Sequence, residues 1–376
     1  MTTKRNLFQL CLLAAVLLPA VAQAQFTFTT NNGAITITGY SGPGGAVVIP
    51  DATNGYSVTS IGNDAFAGSS ITDITIADSI VSIGARVFSV CTNLADVTMG
   101  ASVASIGDRA FEDSGLTSIK IPNSVTNLGQ FTFWGCNNLT NATIGSNVTT
   151  IGFLTFAGCA SLTNVTLPDN LVTIGPDAFD QCVSLPSVYI PKHVTSIGGF
   201  AFYGCSSLTN ITIGDNVTTI ANDAFACCSN LTSVTFPASV TSLGSYVFQT
   251  CSNLHMVYFR GNSPSANSTI FSDDPTAIVY YLPWTIGWNE TFGGAPTLSW
   301  NPQAQTSDPN FGVRMNGFSF NITGTTNIPV VIEACTDLGS STWIPLQSVS
   351  LTNGSFYFSD SQWTNYPGRF YRLRSP

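Results

Sequence analysis

The chain is poor in charge. Only 8% of its 376 residues are Asp, Glu, Lys or Arg, against about 25% in an ordinary globular protein, so Ser, Thr, Asn and Gly must carry most of the polar surface. Basic residues are scarcer than acidic ones, 11 against 20, and the formal net charge is −9. With no basic stripe, neither nucleic acid nor an anionic membrane surface is an expected partner. Histidine is rarer still: His193 and His255 stand far apart. There is no C-x-x-C pair, and Asp273-Asp274-Pro275 lacks the alternating oxygen ligands of a calcium loop. No glycine-rich phosphate cradle precedes a helix. No metal site, cofactor or catalytic residue is therefore expected. An enzyme would have to build its acid–base chemistry around His193 or His255, whose settings in a repeat turn and a strand read as solvated surface.

Long apolar runs are absent after the first two dozen residues. Residues 1–24 have the order of a secretory signal peptide: Lys4 and Arg5, an apolar run from Leu10 to Leu18, and Ala22-Gln23-Ala24 as a small-x-small cleavage site. That run is too short to span a bilayer comfortably. The expected mature chain is secreted or held at the cell surface, without a transmembrane segment after cleavage.

What is present in abundance is repetition. A unit recurs nine times over residues 58–259, starting at Val58, Ile80, Val103, Val125, Val148, Leu171, Val194, Val217 and Val240, so that each copy is 22 or 23 residues long. A fixed period of this size marks a solenoid, in which a unit buries its apolar side only by stacking on its neighbours. Counting from the first residue, the inward set is expected at offsets 0, 3, 8, 11, 14, 17 and 19: Val148, Ile151, Phe156, Cys159, Leu162, Val165 and Leu167 in the fifth copy. Offset 8 is Phe in all nine copies, and offset 4 is Gly in all but Ala221, where freedom from Cβ suits a bend with positive φ. One short parallel strand per copy is expected at the end of the unit, where branched apolar residues alternate with polar ones. Helical or 3₁₀ turns are expected on the opposite side.

The pattern I-G-x-x-A-F-x-x-C-x-x-L-x-x-V-x-L/I-P resembles the BspA-type leucine-rich repeat found in surface and secreted proteins. That resemblance covers about 200 residues and implies a mostly β leucine-rich-repeat solenoid, used for binding or adhesion. Residues 25–57 alternate apolar and polar and read as an N-terminal cap. Residues 260–300, rich in Pro, Gly and aromatics such as Tyr280, Tyr281, Trp288 and Trp300, read as a C-terminal cap, or alternatively as a platform for stacking sugars. Residues 301–311 read as a linker. Residues 312–376, with five short alternating segments, read as a small β-sandwich.

Seven of the ten cysteines (Cys91, Cys136, Cys159, Cys182, Cys205, Cys228 and Cys251) share offset 11. Neighbours in such a column point the same way, which a disulfide cannot use, so none is expected. The outward mid-strand position holds Thr in six copies and departs at Lys120, Tyr189 and Tyr258, the last beside His255 and Met256. A solvated β-face explains the threonines. The departures Lys120, Tyr189, His255 and Tyr258 are the candidate contact residues, since Tyr is a common interface anchor. The expected function is an exported, non-catalytic, monomeric protein that binds a protein or glycan ligand. A self-associating envelope or matrix component is the alternative, and an enzyme the remote one.

Overall fold

The computed structural model describes residues 25–314, 317–339 and 342–375; the expected signal peptide lies outside the described residues. The fold is mostly β: a solenoid of stacked coils followed by two small antiparallel sheets.

Near the end of each coil a polar–apolar–polar triplet forms a short strand, as in Ser118–Lys120, Asn141–Thr143 and Asn164–Thr166. Successive triplets pair in parallel and in register, Lys120 beside Thr143 and Thr143 beside Thr166. A second parallel ladder exists where none is expected. It runs through the pairs Thr150–Ile151, Thr173–Ile174, Ser196–Ile197, Thr219–Ile220 and Ser242–Leu243. Two residues, one polar outward and one branched inward, satisfy the same alternation rule on a second side of the coil.

The turn side is not helical. Among the described residues the one helical segment is the 3₁₀ turn Trp363–Asn365, well outside the repeats. Offsets 6 and 10 have positive φ in all nine copies, as at Leu154 (55°) and Gly158 (72°), and such residues interrupt any helix. Each coil instead donates three backbone bonds to the next: Leu154 N–H to the Pro176 carbonyl (3.2 Å), Phe156 to Ala178 (2.8 Å) and Gly158 to Asp180 (2.7 Å). The glycines at offset 4 do not have positive φ, against the sequence expectation. Their role is close approach: a Cβ on Gly198 would lie 2.4 Å from the Gly175 carbonyl carbon, and one on Gly107 2.6 Å from that of Gly84. Stacked backbones leave no room there for a side chain.

The interior follows the inward offsets closely. Val148, Ile151, Phe156, Cys159, Leu162 and Leu167 are buried, and Val165 is half-buried. Offset 7, outside the expected set, is buried too (Ala110, Ala178, Ala201), and where it is Thr132 or Thr155 the hydroxyl bonds the carbonyl of Gly129 or Gly152. The phenylalanines form one column with ring centroids 5.1 to 5.8 Å apart from Phe88 to Phe271. Beside it, each offset-11 thiol donates to the carbonyl of the Phe one coil back, as Cys159 Sγ does to Phe133 (3.2 Å) and Cys182 Sγ to Phe156 (3.2 Å). Ser69 and Ser114 take the place of Cys in the two shorter copies. Burial pushes these thiols up, Cys136 to about 12, so they stay protonated and keep donating.

The stack continues past the nine copies at both ends. Before them, Ala34–Tyr40 pairs in parallel with Tyr56–Ile61, and Gly45–Val48 with Ile71–Thr75. The antiparallel strand Phe26–Asn31 closes this edge, and Tyr40 stacks on Phe66 at 5.0 Å to finish the ring column. After them, Ile278–Tyr281 and Ala295–Ser299 extend the main sheet in parallel. Trp288 packs on Phe259 and Tyr281 there, so this ring helps close the core, while Trp284 is 75% exposed.

The C-terminal sheets contain the strands Gly317–Thr323, Pro329–Cys335, Ile344–Ser350, Ser355–Asp360 and Phe370–Arg374. The segment expected as a linker is part of this unit: Gln303–Gln305 pairs antiparallel with Gly317–Thr323, and Asp308 accepts from Asn321. The sandwich packs an apolar core that includes Phe320, Ile322, Val330, Ile332 and Phe358, and it also buries two carboxylates. Asp360 meets Arg369 (2.6 Å) and Tyr371 (2.8 Å), and Glu333 is shared by Arg372 and Arg374.

Candidate functional site

In parallel strands held in register, equivalent side chains stand in columns across the sheet. The outward mid-strand column reads Thr75, Thr98, Lys120, Thr143, Thr166, Tyr189, Thr212, Thr235, Tyr258 and Tyr280. The neighbouring column, two residues earlier, begins with Asp73 and Asp96 and passes through Ser118, Asn141, Asn164, Ser187, Asn210 and Ser233 to Met256 and Ile278. Asn164 Nδ2 donates to Asn141 Oδ1 at 3.0 Å. The face thus passes from acidic, through hydroxyl and carboxamide, to apolar and aromatic.

The ladder under this face comes in three segments, whose strands begin at Gly45–Val48, Ser118–Lys120 and Ser187–Tyr189. Lys120 and Tyr189 each occupy the first strand of a new segment. The second interruption has a chemical cause. In neighbouring coils a backbone N–H entering the strand donates to the coil before, from Thr140 to Thr117 (2.9 Å) and from Thr163 to Thr140 (3.0 Å). Pro186 occupies that position in the next coil and has no proton to give.

The structure separates the four candidate residues. Lys120 is exposed and makes no ion pair among the described residues. Tyr189 is 56% exposed and stands three coils away, roughly 15 Å at the usual strand spacing. His255 is exposed, with Nδ1 3.0 Å from Thr276 Oγ1. Tyr258 is not available to a ligand: only 4% exposed, it stacks on Tyr280 at 5.0 Å and packs with Phe320, Val330 and Leu351 of the C-terminal sandwich. Burial, reinforced by Tyr280, raises its phenol. Its departure from Thr answers to the chain's own second domain. Consecutive outward apolar residues, Met256 with Tyr258 and Ile278 with Tyr280, are the signal that distinguishes a covered strand from an open one.

His193 and His255 do not converge: His193 Nδ1 lies 2.7 Å from the Asp169 carbonyl oxygen, in a different coil. Among the described residues no three His, Cys, Asp or Glu side chains are grouped to hold a metal, and no helix is long and apolar enough to cross a membrane. What the open face offers chemically is a lattice of hydroxyl and amide donors and acceptors with a few isolated charges and one exposed ring.

Sequence reasoning missed Arg260, and read Arg374, with Arg369 and Arg372, as a solvated edge-strand charge or a sorting tag. Arg260 follows a main-sheet strand where the other copies have Ala77, Gly100, Pro122, Gly145, Pro168, Pro191, Gly214 and Pro237, so a lone charge in a small-residue column was its signal. Arg374 ends the last strand of the sandwich, and its pairing with Glu333 requires the fold.

A family model described as BspA type leucine rich repeat region matches residues 59–185 and 172–281, in six copies. Among solved structures, the chain is similar to a leucine rich cell surface protein from Faecalibacterium prausnitzii, at 22% identity over 68% of this chain and 93% of that one, with a TM-score of 0.37. It is similar to the leucine rich repeat protein of T. pallidum at 26% identity, over 61% and 88% of the two chains, with a TM-score of 0.32. The pneumococcal vaccine antigen PcpA is 18% identical over 69% and 92%, with a TM-score of 0.41. No curated protein matches the chain.

Proposed function

Because the chain belongs to the family of BspA-type leucine-rich repeat proteins, we propose that it is an exported, non-catalytic binding protein that meets a protein or glycan partner through the outer face of its repeat sheet. The family is consistent with a binding or adhesion role. The observation that carries the reading is the open face from Asp73 to Thr235, in register within each of its three ladder segments, whose outward side chains are exposed or half-exposed. An extended face of this kind is the surface repeat arrays use for partners. Lys120 and Tyr189 supply a charge and an aromatic anchor on it; His255 lies at its border. Export rests on the basic, apolar and Ala-x-Ala order of residues 1–24.

The test is binding of residues 25–376 to a broad array of glycans and matrix proteins, with Tyr189→Ala and Lys120→Ala beside the parent chain. Specific capture that weakens in Tyr189→Ala is the expected result. Capture of nothing, or capture indifferent to both substitutions, removes the reading.

A further inference from the structure

Where the open face runs into the sandwich, the two domains enclose a groove of about 530 Å³. It continues into a smaller recess of about 240 Å³ that shares Thr235, Arg260 and Arg374 with it. Asn210, Thr212 and Thr235 contribute to its floor, and Arg374, from the last strand of the sandwich, forms part of its wall. In a chain of net charge −9, the charged residues lining both hollows are Arg260 and Arg374, with no acid among the lining residues. Arg260 has no ion pair among the described residues. Arg374 shares Glu333 with Arg372 and donates to the Ser375 carbonyl oxygen (2.6 Å), so Arg260 is the guanidinium of the groove left without a partner among the described residues.

We infer that this groove is a binding site for an acidic polysaccharide, one whose sugar units carry carboxylates. The inference rests on the binding role proposed above and names its ligand class. A guanidinium presents a planar fork that matches a carboxylate, and the hydroxyl and carboxamide floor matches the hydroxyls of a sugar ring. Tyr189, in register with Thr212 one strand away, offers an exposed aromatic face at the open end. An extended acidic peptide is the poorer fit. Strand addition needs an unpaired sheet edge, yet Asn210–Thr212 is already paired on both sides, with Ser187–Tyr189 and Ser233–Phe236. The backbone is closed, so recognition falls to side chains.

The experiment is titration calorimetry of residues 25–376 with polygalacturonate, alginate and hyaluronan, with neutral dextran and dextran sulfate as comparison polymers, at low and high salt. At least one polyuronate is expected to bind, more weakly at high salt. Arg260→Gln is expected to weaken that binding about tenfold or more with an unchanged circular dichroism spectrum, and Asn210→Ala to weaken it less. Arg86→Gln, on the turn side of the second coil and paired with Asp64, is expected to leave it intact. Binding of none of the three polyuronates, equal losses in Arg260→Gln and Arg86→Gln, or preference for dextran or dextran sulfate overturns the inference. A chain that captures a neutral glycan or a protein through Tyr189 while ignoring all three polyuronates keeps the binding role and loses this site.

Discussion

The two domains solve the problem of burial in opposite ways. The solenoid buries columns of Phe, Cys, Leu and Ile and, Glu112 and Asp274 apart, keeps its acids out of that interior, Asp73 and Asp96 on the sheet face and others near the turn surface. Burial pushes Asp113, Asp177, Asp223 and Asp274 upward, and Asp180 to about 6, with Asp177 adding to the last. The sandwich takes carboxylates inside and pairs them. Burial alone would raise Glu333, but hydrogen bonds from Arg374 and Arg372, and their charges, hold it below the ordinary range. Asp308 is lowered by the Asn310 backbone and the Asn321 side chain. A coil that must match the coil above and below at every inward position has no place for a lone charge, whereas a sandwich with free edges can bring guanidiniums to it. The two regions should therefore answer acid with opposite signs. A raised carboxyl in the solenoid means that the folded state binds the proton more tightly, so its stability is larger at low pH and falls as pH rises toward the folded value. A lowered one in the sandwich contributes stability above the ordinary Glu range, lost as pH falls through the folded value.

The contrast breaks most sharply at its apolar end. Phe179→Ala, in the middle of the ring column, is expected to cost about 3–5 kcal/mol, seen in denaturant unfolding as a shift of the solenoid transition. A loss below about 1 kcal/mol would mean that the column is not the source of cohesion. Next, Glu333→Gln leaves Arg372 and Arg374 facing a neutral amide and should cost the sandwich about 3 kcal/mol, with its transition losing acid sensitivity while that of the solenoid is unmoved. Smaller, and opposite in sign, Asp180→Asn should stabilise the solenoid by about 1 kcal/mol at neutral pH, after discounting for its partial exposure. It should also flatten the slope of stability between about pH 4 and 6; an unchanged slope would assign that slope to other acids. Arg86→Ala, which removes an exposed pair with Asp64, should leave the unfolding midpoint where it was.

The solenoid was legible because its signal is repeated: Phe at offset 8 returns nine times, and periodicity names the inward face without knowledge of contacts. The turn conformation was not, since Asp64, Arg86, Phe131, Leu154 and Tyr246 all take the same positive-φ position and share no chemical trait. Once stacking fixes the backbone, the side chain there is free to vary. The glycines were read correctly as necessary but for the wrong reason, because close approach between coils is a tertiary fact that leaves the same residue as a turn. On the candidate face, Lys120 and Tyr189 stand in the open as read. Tyr258 does not, because one sequence position cannot reveal that residues 300–375 return to cover it. The groove was invisible for the same reason: Arg260 and Arg374 are separated by more than a hundred residues and meet only through domain docking.

The sandwich grips the last coils alone, and wherever a coil carries the offset-11 Cys its thiol-to-carbonyl link ties it to the one before by the same geometry. Duplicating a whole unit anywhere between the first coil and Val217 would thus move the Asp73 end outward by about 4.8 Å without disturbing the junction. Length in this architecture acts as an adjustable spacer, set in integer steps, between whatever the far tip touches and whatever the clamped end holds.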